Sequence, residues 1–364
     1  GVTEVLVVAG DVSSGMRRAR DTLQLLKEKF HEASEAVVFV AGNHDLWVNP
    51  KPSEHGGDFS SVRKLLDTFD MCRELGVRVD PVCFSFRGGA DIATAPAAGL
   101  QRTAAAATAA GSGRADAATA AADCEELWLV PLLSWYHASW DREPDLPPEL
   151  QYRNGDFLRR WGDFRRCRWP ESVCRHEDFV SITSESTAVS NLFASLNDDC
   201  LTAAIAEASL LSTSSVLVVC ATASANRDSC HSRHGRHAAG KSFGHSQTPP
   251  NLWESARFPC LQIEASRWMG RRVSVASLSH FLPRQELCPE KRFLVEPMLP
   301  KVIGSDALER QVRALRPSVH VFGHTHIPID LQLEGIRYVQ WPLGSPREQT
   351  RQCRVMRDTG PLLL

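Results

Sequence analysis

Long apolar runs are missing from this chain. None approaches the roughly 18 residues needed to cross a bilayer. The longest, 127–135 and 216–223, have the length of buried strands, so no membrane partner is expected. An excess of one charge is absent too: 41 Lys and Arg face 43 Asp and Glu, for a net charge of −2. Without a global basic field, nucleic acid is not an expected partner. Basic stretches do occur, at Arg159–Arg168 and Arg267–Arg272, and read as solvated faces or phosphate-facing patches. Nor is there a disulfide framework. Eleven cysteines lie scattered through 364 residues, which suggests a reducing, cytoplasmic setting. No internal repeat and no targeting peptide stand out.

What is present is enough apolar sequence for a sizeable core, 43% of the chain. Residues 4–9 read as a β-branched-rich strand, and 16–30 as a helix with Met16, Ala19, Leu23, Leu26 and Phe30 on one face. A second strand, 36–41, precedes a helix over 60–75 whose face comprises Val62, Leu65, Leu66, Phe69 and Cys72. Further strands are predicted at 77–86, 127–135, 272–278 and 318–322, with a helix over 305–315 and a hairpin of 327–333 and 336–341. Strand and helix alternate as in an α/β layered sheet. Two stretches break the pattern, an Ala-rich one at 88–122 and a Ser- and His-rich one at 222–250. Both are too poor in large apolar residues to build a core and read as insertions. Residues 137–170 look like a long irregular excursion. The expected organisation is one domain over 1–346 and a tail over 347–364.

Three apolar runs end in residues that ligate metals: Gly10-Asp11, Gly42-Asn43-His44-Asp45 and Gly323-His324-Thr325-His326. A fourth strand ends in Ser279-His280. Asp11, Asn43, His280, His324 and His326 together offer a carboxylate, an amide oxygen and three imidazoles, a donor set suited to Mn, Fe or Zn. All five lie at carboxyl ends of predicted strands, where open α/β sheets place ligands. His44, beside Asn43, is suited to hydrogen-bond a phosphoryl oxygen or protonate a leaving group. Asp45 is the expected partner that orients its imidazole.

These four motifs, in this order, resemble the calcineurin-like metallophosphoesterases. The details around Leu46-Trp47, Ser279-His280-Phe281-Leu282-Pro283 and 335–340 look most like plant and green-algal members. The resemblance implies a β-sandwich of two mixed sheets flanked by helices, interrupted by the two insertions. It implies a two-metal site that activates a hydroxide against a phosphate mono- or diester. Asp11 would bridge both metals, Asn43, His280 and His324 would complete one site, and His326 would belong to the other. The family's Asp-x-His segment would precede Gly10-Asp11 and so lie upstream of Gly1, leaving the first site with Asp11 and His326 alone.

His324 and His326 taken alone are strand-end histidines that backbone can satisfy, but the matched Asp11 and Asn43 motifs outweigh that account. His280 has competitors in His231, His234, His237 and His245, yet only His280 follows a strand. The His231–His245 cluster matches no zinc-finger spacing. His137 follows a strand and is a second candidate for the phosphate pocket, and the Trp-rich stretch 135–169 is a candidate lid. The competing function is a non-catalytic interaction scaffold on the same fold, as in a retromer subunit; a nuclease ranks third for want of a basic stripe. The substrate is expected to be phosphorylated, its class open.

Overall fold

A computed structural model describes residues 4–30, 34–48, 60–87, 124–147, 154–198 and 272–343, together with 263, 266 and 267. The insertions at 88–122 and 222–250, the strand expected at 216–223, the His231–His245 cluster and the tail lie outside these residues. The chain divides into two compact units. One comprises Gly1–Val82, Leu127–Asn197 and Ser274–Leu364; the other comprises Cys83–Glu126 and Asp198–Val273, the stretches that hold both expected insertions.

The first unit begins with β1 (Glu4–Val8), α1 (Met16–Phe30) and β2 (Ser34–Phe39), then α2 (Ser61–Glu74). The apolar spacing of α1 buries Ala19 and Leu23 completely, as a 3.6-residue period requires. In α2, Ser60 caps the N-terminus by accepting the Arg63 N–H, and Leu65, Phe69 and Cys72 are buried. Leu66 departs from the expected core face and is 38% exposed, because it falls one position beyond the buried stripe.

β1 and β2 pair in parallel as a two-stranded sheet. The larger sheet has the order β3 (Val82–Arg87), β4 (Cys124–Pro131), β5 (Arg272–Leu278), β6 (Val319–Val321), β8 (Ile336–Gln340), β7 (Ile329–Leu333). β5, β6 and β8 run parallel, and β7 returns antiparallel to β8 as the expected hairpin. This sheet is mixed. With its helices it gives the expected mixed α/β arrangement, and β1 and β2, joined by a helical crossover, are parallel.

Residues 137–170 are more ordered than expected. The described ones include the short helices α3 (Asn154–Arg160) and α4 (Gly162–Arg166), and Trp140, like Trp135 just before it, is fully buried. Trp135 is the centre of an aromatic cluster with Tyr136, Trp169, Phe179, Phe193 and Phe281, at centroid distances of 4.9–6.4 Å. These two tryptophans belong to the core, not to a lid. The buried Lys291 ammonium holds the segment down through Asp141, at 2.7 Å. α5 (His176–Phe179) and α6 (Asp306–Leu315) follow, with Ser305 as the N-cap of α6.

Candidate metal centre

Asp11 lies in the turn after β1 with φ 58°, a left-handed conformation that few non-glycine residues adopt. His324 and His326 share it, at φ 74° and 58°. Three of the five non-glycine residues with positive φ among the described residues are therefore ones that the sequence had singled out. Such backbone persists where surrounding structure over-determines it, and it concentrates at functional sites.

Two turns knit around each other to hold Asp11. The Asp45 carboxylate is buried and accepts the backbone N–H groups of Asp11 and Gly42, both at 2.9 Å, and of Ser13 at 3.1 Å. The Asp11 carboxylate in turn accepts the His44 N–H at 3.0 Å. The turns approach so closely that a Cβ on Gly42 would collide with the Asp11 carboxylate. Asp45 was expected to orient the His44 imidazole, and here the structure differs. A buried carboxylate needs donors, and three backbone amides supply them, so Asp45 positions the Asp11 turn instead. Burial pushes the Asp45 carboxyl up to about 6, partly offset by those amides.

Three side chains from three further turns converge beside Asp11. His280 Nε2 lies 3.0 Å from Asn43 Oδ1, 3.2 Å from His324 Nδ1 and 3.4 Å from Asp11 Oδ1. His324 Nδ1 lies 3.1 Å from Asn43 Oδ1. Ligand atoms of Asp11, His280 and His324 all fall within 4.8 Å of one another.

The outward-facing atoms of these side chains decide what the cluster accepts. His280 Nδ1 is 2.7 Å from the Ala9 carbonyl, and His324 Nε2 is 3.2 Å from the Val302 carbonyl. A carbonyl can only accept, so each ring carries its proton there and turns a lone pair inward. The Asn43 amide donates its NH₂ to Asp163 at 2.8 Å, which turns its oxygen inward as well. Two imidazole lone pairs, an amide oxygen and a carboxylate oxygen thus face one point with no proton among them. Without a cation, that arrangement is repulsive. Burial drives His280 down to about 4 and His324 well below the ordinary histidine range, so both are neutral near pH 7, the form that ligates metal.

Asp163 is a residue that the sequence reading missed. It is fully buried, and its carboxylate accepts from Asn43, from Trp47 Nε1 at 2.6 Å, from Tyr136 Oη at 3.1 Å and from Trp161 Nε1 at 3.0 Å. Burial raises its pKa, against four donors that favour the ionised form. Its only sequence signal was the density of tryptophans around it, which read as surface.

His44 sits at the mouth. Its side chain is 45% exposed, its Nε2 is 3.9 Å from Asp11 Oδ2, and its ring stacks on Trp47 at 3.7 Å. Burial lowers its pKa, with the Asp11 charge opposing. His326 is exposed and stands outside the three-residue group, although its charge is felt at Asp11 and His44. His137 is engaged elsewhere: its Nε2 accepts the Asp306 N–H at 3.2 Å at the start of α6, and its Nδ1 pairs with Ser139 Oγ at 2.9 Å.

No family model matches the chain, and no curated protein matches it. Among solved structures, the phosphopantetheinyl hydrolase of Mycobacterium tuberculosis is similar over 97% of this chain and 84% of its own, at 16% identity and a TM-score of 0.43. The chemistry of the site therefore rests on its own atoms, a convergence of acceptors that includes a three-residue group able to hold a cation.

Proposed function

We propose that this chain is a metal-dependent phosphoester hydrolase of the calcineurin-like metallophosphoesterase type, acting on a phosphate mono- or diester. The single observation that carries this reading is the convergence of Asp11, Asn43, His280 and His324 with every facing atom an acceptor. These four residues would hold one metal ion, and Asp11 with His326 would contribute to a second; Mn, Fe and Zn all suit the donors. When bound, such ions polarise a phosphoryl oxygen and lower the pKa of a water molecule.

The chain's own residues do the rest. Asp163 and the Ala9 and Val302 carbonyls lock the ligands in the orientation that faces their lone pairs inward. Asp45 holds the Asp11 turn. His44, neutral near pH 7 and half-exposed above Asp11, is placed to donate an N–H hydrogen bond to a phosphoryl or leaving oxygen.

A second reading has one observation in its favour. Among the described residues only one cation site has four donors, since His326 stands apart. A catalytically impaired scaffold on the same fold would show that asymmetry too. Metal content and turnover separate the two readings. The purified chain is loaded with Mn²⁺ or Zn²⁺ and assayed on 4-nitrophenyl phosphate and bis(4-nitrophenyl) phosphate. Near-stoichiometric metal with metal-dependent hydrolysis is expected. Bound metal without turnover on either ester points to the scaffold, and absence of bound metal overturns both the site and the function.

A further inference from the structure

The mouth of the site carries a cation that the proposed chemistry has not used. α4 packs against the turn that bears His44 and Trp47. The Val48 N–H donates to the Arg166 carbonyl at 2.9 Å, and the approach is so close that a Cβ on Gly162 would collide with the Trp47 indole. Docked in this way, Arg166 lays its guanidinium over the indole, with Cζ 4.6 Å from the ring centroid. His44 stacks on the same side chain at 3.7 Å. The His44 imidazole and the Arg166 guanidinium thus both lie against the Trp47 side chain, His44 being the one nearer Asp11.

Nearby arginines are used differently. Arg165 donates to the Arg160 carbonyl and Arg168 to the Cys167 carbonyl, while Arg160 pairs with Glu296. Arg166 is exposed and has no carboxylate partner among the described residues. The Trp47 indole N–H is taken by Asp163, which pins the ring in place. A guanidinium stacked on a ring keeps its in-plane N–H fork free for a bidentate oxyanion.

We propose that Arg166 is a specificity residue that reads a second anionic group, carboxylate or phosphate, on the leaving-group side of the substrate. The preferred esters are then those whose leaving alcohol carries its own negative charge. This inference rests on the phosphoesterase reading and names the substrate class within it.

The test is equilibrium binding to the metal-loaded chain, which requires no turnover. Phenylphosphonate is compared with 4-carboxyphenylphosphonate and benzene-1,4-diphosphonate by titration calorimetry. Wild type is expected to bind the two ligands that carry a second anionic group about tenfold tighter than phenylphosphonate, with the advantage shrinking between low and high salt. In Arg166→Gln the ratio falls to within about twofold, and Arg166→Lys retains part of it because charge remains without the fork. A larger gain for the carboxylate or for the phosphonate arm tells which oxyanion is read. Phenylphosphonate binding with no preference in wild type, or a preference that survives in Arg166→Gln, overturns the role of Arg166 alone. If no phosphonate binds at all, the phosphoesterase reading falls and this inference falls with it.

Discussion

Two neighbouring regions each bury a histidine, and they put it to opposite uses. His280 follows β5, His320 lies within β6, and both are at most 1% exposed. Burial depresses both pKa values, His280 to about 4 and His320 to about 3. What separates them is the chemistry of their neighbours. His320 sits between two hydroxyls, Ser277 Oγ at 2.8 Å and Ser279 Oγ at 3.0 Å. Ser279 donates its proton to the Phe281 carbonyl, so it accepts from His320 Nε2, and Ser277 then donates to Nδ1. Every donor meets an acceptor, and the ring is complete. His280 has one nitrogen satisfied by the Ala9 carbonyl, while the other faces only acceptors. Burial and a low pKa therefore do not mark a site by themselves; unmatched lone pairs do.

The contrast is sharpest when each ring is removed. His280→Ala is expected to lower metal affinity by more than about 100-fold, beyond the 10–100-fold typical of losing an outer partner. It should leave the melting temperature in chelator nearly unchanged, because it relieves a cluster of converging acceptors. Competition against a chromogenic chelator, alongside melting in EDTA, measures both. His320→Ala should do the reverse. A cavity and two stranded hydroxyls would cost about 3 kcal/mol in the metal-free protein, while metal affinity falls less than tenfold. If the two substitutions behave alike, the distinction between the regions is wrong.

Acidification tests both rings together. Each has a folded-state pKa below the ordinary value of 6.5, so the folded protein prefers the neutral form. The stability this confers is fully present above pH 6.5 and is lost as pH falls towards about 4, because the unfolded chain takes up protons that the folded chain refuses. Unfolding free energies from denaturant titrations in EDTA should fall over that window by about a few kcal/mol in total, and the His320→Ala slope should be shallower. A flat profile would mean that the rings titrate alike in both states. The smallest expected effect belongs to Asp163→Asn. An amide cannot accept from all four of its donors, so Asn43 loses its anchor and metal affinity drops about tenfold, with the His280 and His324 hydrogen bonds intact.

Much of this was legible because it is local. The periodicities of 16–30 and 60–75 report helices, and β5, α6 and the hairpin fall within a residue or two of their expected bounds. Asp11, Asn43, His280 and His324 are each announced by a short turn after an apolar run. Asp163 was not legible, because its four donors come from residues 43, 47, 136 and 161 and converge only in the folded chain. Asp45 was assigned to its sequence neighbour His44, when its partners are the amides of another turn. Trp140 read as part of an irregular excursion because aromatic residues among arginines and prolines leave no periodic trace of burial.

By itself, the sequence determined which residue types end the strands and that strands and helices alternate. Only the tertiary structure decided which way each ligand atom points. That choice depends on acceptors and donors distant in sequence, the Ala9 and Val302 carbonyls for two rings and Asp163 for the amide. It likewise separated His280 from His320, since a proton goes wherever the folded surroundings leave an acceptor.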